Sequence, residues 1–169
     1  MCQACNLTTA TALDDDRSAA FEQRFVGALN DAAMIVMASV GHRTGLFDAL
    51  SGAAPITSAS LATRAGLNER YVREWLGAMV CAGIVEMNGE AGTYTLPAEH
   101  AKYLTRGAEA NFAVIAQFLP LVGGVEDDVV HCFRHGGGVP YERYARFNEV
   151  MAEESGQTVL PVLEAEILP

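Results

Sequence analysis

The most restrictive part of this sequence runs from residue 57 to residue 96. Thr57 or Ser58 can cap a helix that carries Leu61 and Ala62 and ends at Ala65-Gly66. Asn68 can cap a second helix. Its Tyr71, Val72, Trp75, Leu76, Met79 and Val80 recur at spacings of three and four, and Gly83 ends it. Ile84-Val85-Glu86-Met87 then reads as a strand, Asn88-Gly89-Glu90-Ala91-Gly92 as a turn, and Thr93-Tyr94-Thr95-Leu96 as the returning strand.

Two helices joined by a tight turn and followed by a small hairpin make a winged helix-turn-helix. The sequence around it is helical. A long helix is expected from about Arg17 to His42, with Phe21, Phe25, Leu29, Ala32, Val36 and Val40 at helical spacing. Ala28, Ala33, Met34, Ile35 and Met37 make its later part apolar on other faces too. A helix apolar most of the way round is buried on more than one side, either by the rest of the chain or by a partner subunit. Leu46 to Leu50 forms a short second helix. Further helices are expected at Ala98 to Leu104, Ala108 to about Leu121, Glu126 to Arg134, and from Tyr141 to the C-terminus, with breaks at Ser155-Gly156 and Pro161. The fold class is therefore mainly α with a small β-hairpin wing: a winged helix-turn-helix plus additional long helices. The expected organisation is a flexible N-terminal arm over 1–16, a winged-helix domain over 17–107 and a helical extension over 108–169. The acidic run Asp14-Asp15-Asp16 falls where the first helix begins, where carboxylates face the positive end of the helix dipole.

Composition narrows the function classes. The 169 residues carry 11 Lys and Arg against 21 Asp and Glu, a formal charge of −10, which disfavours nucleic acid and anionic membrane surfaces as partners. The balance is informative locally. Residues 57 to 107 set Arg64, Arg70, Arg73, Lys102 and Arg106 against Glu69, Glu74, Glu86, Glu90 and Glu99. Arg70 and Arg73 are the residues a DNA-reading version of the second helix would use, and they alternate with Glu69 and Glu74. The hairpin turn offers Glu90 and no Lys or Arg. A transcriptional regulator is thus the alternative function, with DNA binding not expected. The first 13 residues lack the basic start and apolar core of a signal peptide, and the Phe112 to Val125 stretch is too short and interrupted to span a bilayer. A soluble, cytoplasmic protein without membrane contact is expected. The sequence contains no G-x-G-x-x-G, no P-loop and no H-E-x-x-H.

Three segments carry a resemblance. They are Ser39-Val40-Gly41-His42-Arg43-Thr44-Gly45-Leu46-Phe47, Glu69-Arg70-Tyr71-Val72-Arg73-Glu74-Trp75-Leu76, and Phe133-Arg134-His135-Gly136-Gly137-Gly138-Val139-Pro140-Tyr141. Together they resemble the N-terminal part of bacterial, mycobacterial-type S-adenosylmethionine-dependent methyltransferases over roughly residues 17 to 169. More distantly, the chain is similar to the dimerisation domains of small-molecule O-methyltransferases. In those families a winged-helix domain precedes a Rossmann-like catalytic domain. The resemblance implies a homodimer, a small-molecule methyl acceptor and S-adenosylmethionine as the complete protein's cofactor. The strand and alternating-glycine loop that would cradle this cofactor are absent from the sequence. No cofactor is expected on this chain alone, which looks like a truncated, split or separately encoded N-terminal half. Gly136-Gly137-Gly138 reads as a hinge or tight loop.

The segment after that loop holds the candidate pocket residues. Tyr141, Tyr144, Phe147 and Met151 are expected on one broad helical face. The resemblance implies that Phe147, Asn148 and Met151 touch the cofactor or acceptor. The physics agrees, because a flat ring and an adaptable thioether suit a small organic ligand. The bland alternative is that these residues only bury a helix. His135 is a speculative general base for an acceptor hydroxyl, since imidazole titrates near neutrality. His131 and His135 share a face beside Cys132, and Cys2 and Cys5 form a C-x-x-C, but no third ligand is evident and no metal site is expected. His42 and His100 read as structural or exposed.

Overall fold

The computed structural model describes residues 13–108 and 110–163. It divides into two compact units, Met1–Asp31 and Ala32–Pro169, each treated by itself. Cys2 and Cys5 lie outside the described residues, as does most of the expected arm.

In the first unit, Asp14 Oδ1 accepts the Arg17 amide at 3.0 Å and so caps helix α1 (Asp15–Thr44). Asp15 and Asp16 fill the first turn, where their charges oppose the positive end of the dipole. Phe21, Phe25 and Leu29 follow one another at spacings of four and are all more than half exposed. The rings of Phe21 and Phe25 stack with centroids 5.8 Å apart.

The second unit holds the core. Here Ala38, Ser39, Gly41 and His42 of α1 are buried. They are followed by α2 (Leu46–Leu50), α3 (Ser58–Ala65) and α4 (Glu69–Cys81). The caps are those the sequence announces. Thr57 Oγ1 accepts the Ser60 amide at 3.2 Å, and Asn68 Oδ1 accepts the Arg70 amide at 3.1 Å. Gly66 takes a left-handed φ of 67°, and Leu67 returns its amide to the Ala62 carbonyl at 2.9 Å. This glycine-dependent C-cap closes α3 and redirects the chain into α4. The wing is the antiparallel pair β1 (Glu86–Asn88) and β2 (Thr93–Thr95), in the register Glu86 with Thr95 and Asn88 with Thr93. Asn88 Oδ1 accepts the amides of Glu90 and Ala91, which fixes the turn. Ile56 adds an isolated bridge to Tyr94, a pairing that no local sequence signal announces.

The apolar face of α4 sits at the centre. Val72, Trp75, Leu76 and Met79 are buried against Phe47, Leu50, Leu61, Val85 and Tyr94. The Trp75 indole donates to the Met37 carbonyl at 2.8 Å and meets Phe47 edge-on with centroids 5.2 Å apart. A Cβ at position 41 would lie 2.5 Å from Trp75 Cζ2 and 2.8 Å from Phe47 Cε2, so only glycine admits the two rings. The fold is mostly helical with one small antiparallel hairpin and a winged helix-turn-helix, as the sequence predicts.

After the wing comes α5 (Ala98–Ala101), and the helical extension beyond it departs from expectation in two places. The helix expected over 108–121 is instead two short ones, α6 (Phe112–Ile115) and α7 (Phe118–Gly123). Pro120 has no amide to return to the Ala116 carbonyl, so the ladder cannot run through that point. After α8 (Glu126–His135), Gly136 and Gly137 take left-handed φ values of 75° and 96°, consistent with the tight loop expected there. The chain then forms a single 3-10 turn at Tyr141–Arg143 before α9 (Phe147–Val162), which runs through Ser155-Gly156 and Pro161 without the expected breaks. Tyr141 and Tyr144 therefore lie before the helix, and the single helical face expected for Tyr141, Tyr144, Phe147 and Met151 does not form. Among the described residues, α1 is the one helix long and apolar enough to cross a membrane by length and composition. Its residues Ala38, Ser39, Gly41 and His42 are buried in the second unit.

Candidate functional site

A polar cleft of about 410 Å³ opens beside His42 and Arg43 at the end of α1, Gln117 ahead of α7, and Arg146 and Glu153 at the start of α9. Its floor is a chain of side chains brought together from distant parts of the sequence. His42, only 1% exposed, sets Nε2 at 2.8 Å from Glu153 Oε1. Gln117 donates from Nε2 to Glu153 Oε2 at 2.9 Å and accepts from Arg146 at 3.1 Å. Arg146 also grips Glu149 with two bonds, of 2.9 and 2.7 Å. Arg106 pairs with Asp48 and donates to the His42 carbonyl, which ties the end of the winged helix to the same cluster.

The electrostatics follow from these contacts. Partial burial works against the Glu153 charge, but the bonds from Gln117 and His42 and the nearby Arg106 charge outweigh it and hold the carboxyl below its ordinary range. The Arg146 hydrogen bonds likewise hold Glu149 below its ordinary range. Arg143 pairs bidentately with Asp128 at 2.9 and 3.1 Å, which raises the guanidinium pKa further. Arg146 is the one described non-glycine residue with a positive φ, 64°. Its backbone turns the chain sharply into α9 while its side chain holds both Gln117 and Glu149.

The pocket candidates from the sequence gather only in part. Tyr141, Tyr144 and Phe147 form a ring cluster, with Phe147 centroids 5.5 and 6.2 Å from the two tyrosines. Tyr141 and Asn148 are exposed, and Met151 is partly so. His135 is exposed at the end of α8, stacks on His131 at 4.3 Å and bonds that residue's carbonyl. It lies outside the cleft lining. Among the described residues no three His, Cys, Asp or Glu side chains converge as a metal would require. Arg70 is exposed on α4, and Arg73 pairs with Glu69 at 3.8 Å. His100 bonds the Ile84 carbonyl and packs under the wing. Sequence reasoning missed Arg43, Arg106, Gln117, Arg146, Glu149 and Glu153. His42 and Glu153 are 111 positions apart, and no periodicity joins them.

Residues 32–106 match the family model of the Rv2258c-like winged HTH domain. No curated protein matches the chain. Among solved structures, it is similar to the mitomycin 7-O-methyltransferase MmcR, with TM-score 0.62 and 19% identity over 85% of this chain and 46% of that one. It is also similar to human N-acetylserotonin methyltransferase in complex with SAM, with TM-score 0.63 and 14% identity over 92% of this chain and 48% of that one. A third likeness is to the N,N-8-amino-8-demethyl-D-riboflavin dimethyltransferase RosA from Streptomyces davawensis, with TM-score 0.63 and 20% identity over 85% and 45%. The chain spans about half the length of these structures. At such identities the likeness is one of fold.

Proposed function

We propose that this chain, whose residues 32–106 are an Rv2258c-like winged HTH domain, is the dimerising and substrate-covering part of a SAM-dependent methyltransferase-like protein acting on a small molecule in the cytoplasm. The observation that carries the proposal is the extent of the fold likeness, which takes in 85% to 92% of the chain, more than the winged helix alone. In this reading Phe147 and Met151 cover the acceptor, with the tyrosine rings behind Phe147. The described residues do not fit the cofactor itself. Their only sheet is the two-stranded wing, whose Gly89–Gly92 turn leads straight into the returning strand and not, as a cofactor loop would, into a helix. No step is therefore assigned to SAM here. Calorimetry with S-adenosylmethionine and this chain alone is expected to show no stoichiometric binding, and tight binding would overturn the assignment.

The dimer rests on apolar surface. Phe21, Phe25 and Leu29 form one exposed stripe in the first unit, and Phe112, Ile115, Leu119 and Val122 are exposed on α6 and α7 in the second. Contiguous apolar surface of this kind marks an association site. Light scattering at micromolar concentration is expected to give a dimer, and a monomer would rule this part out.

A further inference from the structure

We propose that the cleft beside His42 and Gln117 is a binding site for a small organic carboxylate, with Arg43 as its ion-pairing residue. Most polar groups in the cleft are already used. Both oxygens of Glu149 are held by Arg146. Both oxygens of Glu153 are held, one by His42 and one by Gln117. The Gln117 oxygen accepts from Arg146, and the Arg106 guanidinium is engaged by Asp48 and the His42 carbonyl. Arg43 is exposed and lines the cleft; the charge of Glu149 acts on it, but no described side chain takes up its N–H groups. His42 also keeps Nδ1 buried and unpartnered among the described residues. The cleft therefore presents one guanidinium fork with its N–H groups untaken by any described residue, above a floor whose carboxylate oxygens are already hydrogen-bonded.

The shape selects among anions. A guanidinium fork matches the two oxygens of a carboxylate. A second cavity of about 180 Å³ shares Arg43, Gln117 and Arg146 with the first and adds Pro120, Leu121 and Val150. This gives the ligand's body an apolar seat next to the fork. The combined volume suits a ligand of small organic size. A phosphate dianion fits less well. It brings a second negative charge that the single fork does not match and has no apolar body to bury against Pro120, Leu121 and Val150. The floor is held in place before a ligand arrives, so little ordering cost falls on binding.

The test uses the full chain and benzoate as probe, read by titration calorimetry, with benzamide and inorganic phosphate as comparators. Benzoate is expected to bind about tenfold more tightly than either comparator. Arg43→Gln is expected to abolish that preference, Arg43→Lys to retain part of it, and the exposed Arg70→Gln to leave it unchanged. Circular dichroism checks that each variant folds. Equal binding of benzoate and benzamide, no saturable benzoate heat, or an Arg43→Gln variant that binds like the parent would each overturn the proposal. Because binding is read on this chain itself, the methyltransferase assignment can fail while the carboxylate site stands, and the reverse is also possible.

Discussion

Trp75→Ala is expected to lower the unfolding free energy by about 3–5 kcal/mol, a large share of the stability of a chain this size. Trp75 is 1% exposed, and its ring fills the space between α1, α2 and α4. Alanine removes the ring and leaves a cavity that the surrounding helices cannot close. It also leaves the Met37 carbonyl without the indole N–H. Trp75→Phe separates the two contributions. It keeps most of the ring and loses the hydrogen bond, at a cost of about 0.5–1.5 kcal/mol for the bond, because the mid-helix Met37 carbonyl keeps its helical partner. Trp75 is the only tryptophan, so urea unfolding must be followed by circular dichroism. A shift below about 1 kcal/mol for alanine would show that the helix-turn-helix does not depend on this contact.

Glu153→Ala is expected to cost about 1–3 kcal/mol, because it strands buried His42 and Gln117 at once. Glu153 is itself partly exposed, so the lower half of that range is expected. Hydrogen exchange should accelerate first in α9, since the bonds lost are those that fasten its first turns. The pH dependence has a definite sign. The folded-state pKa of Glu153 lies below the ordinary value of 4.5, so its contribution is complete above pH 4.5 and is lost as pH falls through the folded value. Glu149 contributes in the same direction through Arg146. The comparison that isolates Glu153 is therefore the parent against Glu153→Gln, with the variant showing the shallower fall in stability below pH 4.5. Parallel curves for the two would rule out this role for the carboxylate.

The winged helix was legible because its signals are local. Asn68 and Thr57 are caps, Gly66 is the left-handed stop, and Trp75, Leu76 and Met79 lie on one face within three turns. Each needs only its neighbours in sequence to be recognised. The wing was legible for the same reason, through Asn88 and Gly92. The Ile56 bridge to Tyr94 was not, because a single residue has no alternation to read. The cleft was illegible for a stronger reason. Its residues come from positions 42, 43, 106, 117, 146, 149 and 153, and only folding brings them together. Arg146 gave no warning either. A positive φ is signalled by glycine or asparagine, and here an arginine adopts it while bound to Gln117 and Glu149. The tyrosines before α9 misled for a related reason. Their spacing suits a helix, but the turn at Arg146 starts the helix after them.

The slot at Gly41 makes positions 41 and 75 interdependent. Any side chain at 41 collides with both the indole and the Phe47 ring, so it is most damaging while Trp75 is present and costs less once the indole is smaller and Phe47 can shift into the space. The two substitutions are then strongly epistatic, with the pair costing less than the sum of the singles, and a double-mutant cycle reads the coupling directly. The order of change matters as well. A lineage leaving this packing must first make room among the Trp75 and Phe47 rings, because the opposite order passes through a protein whose core is overpacked.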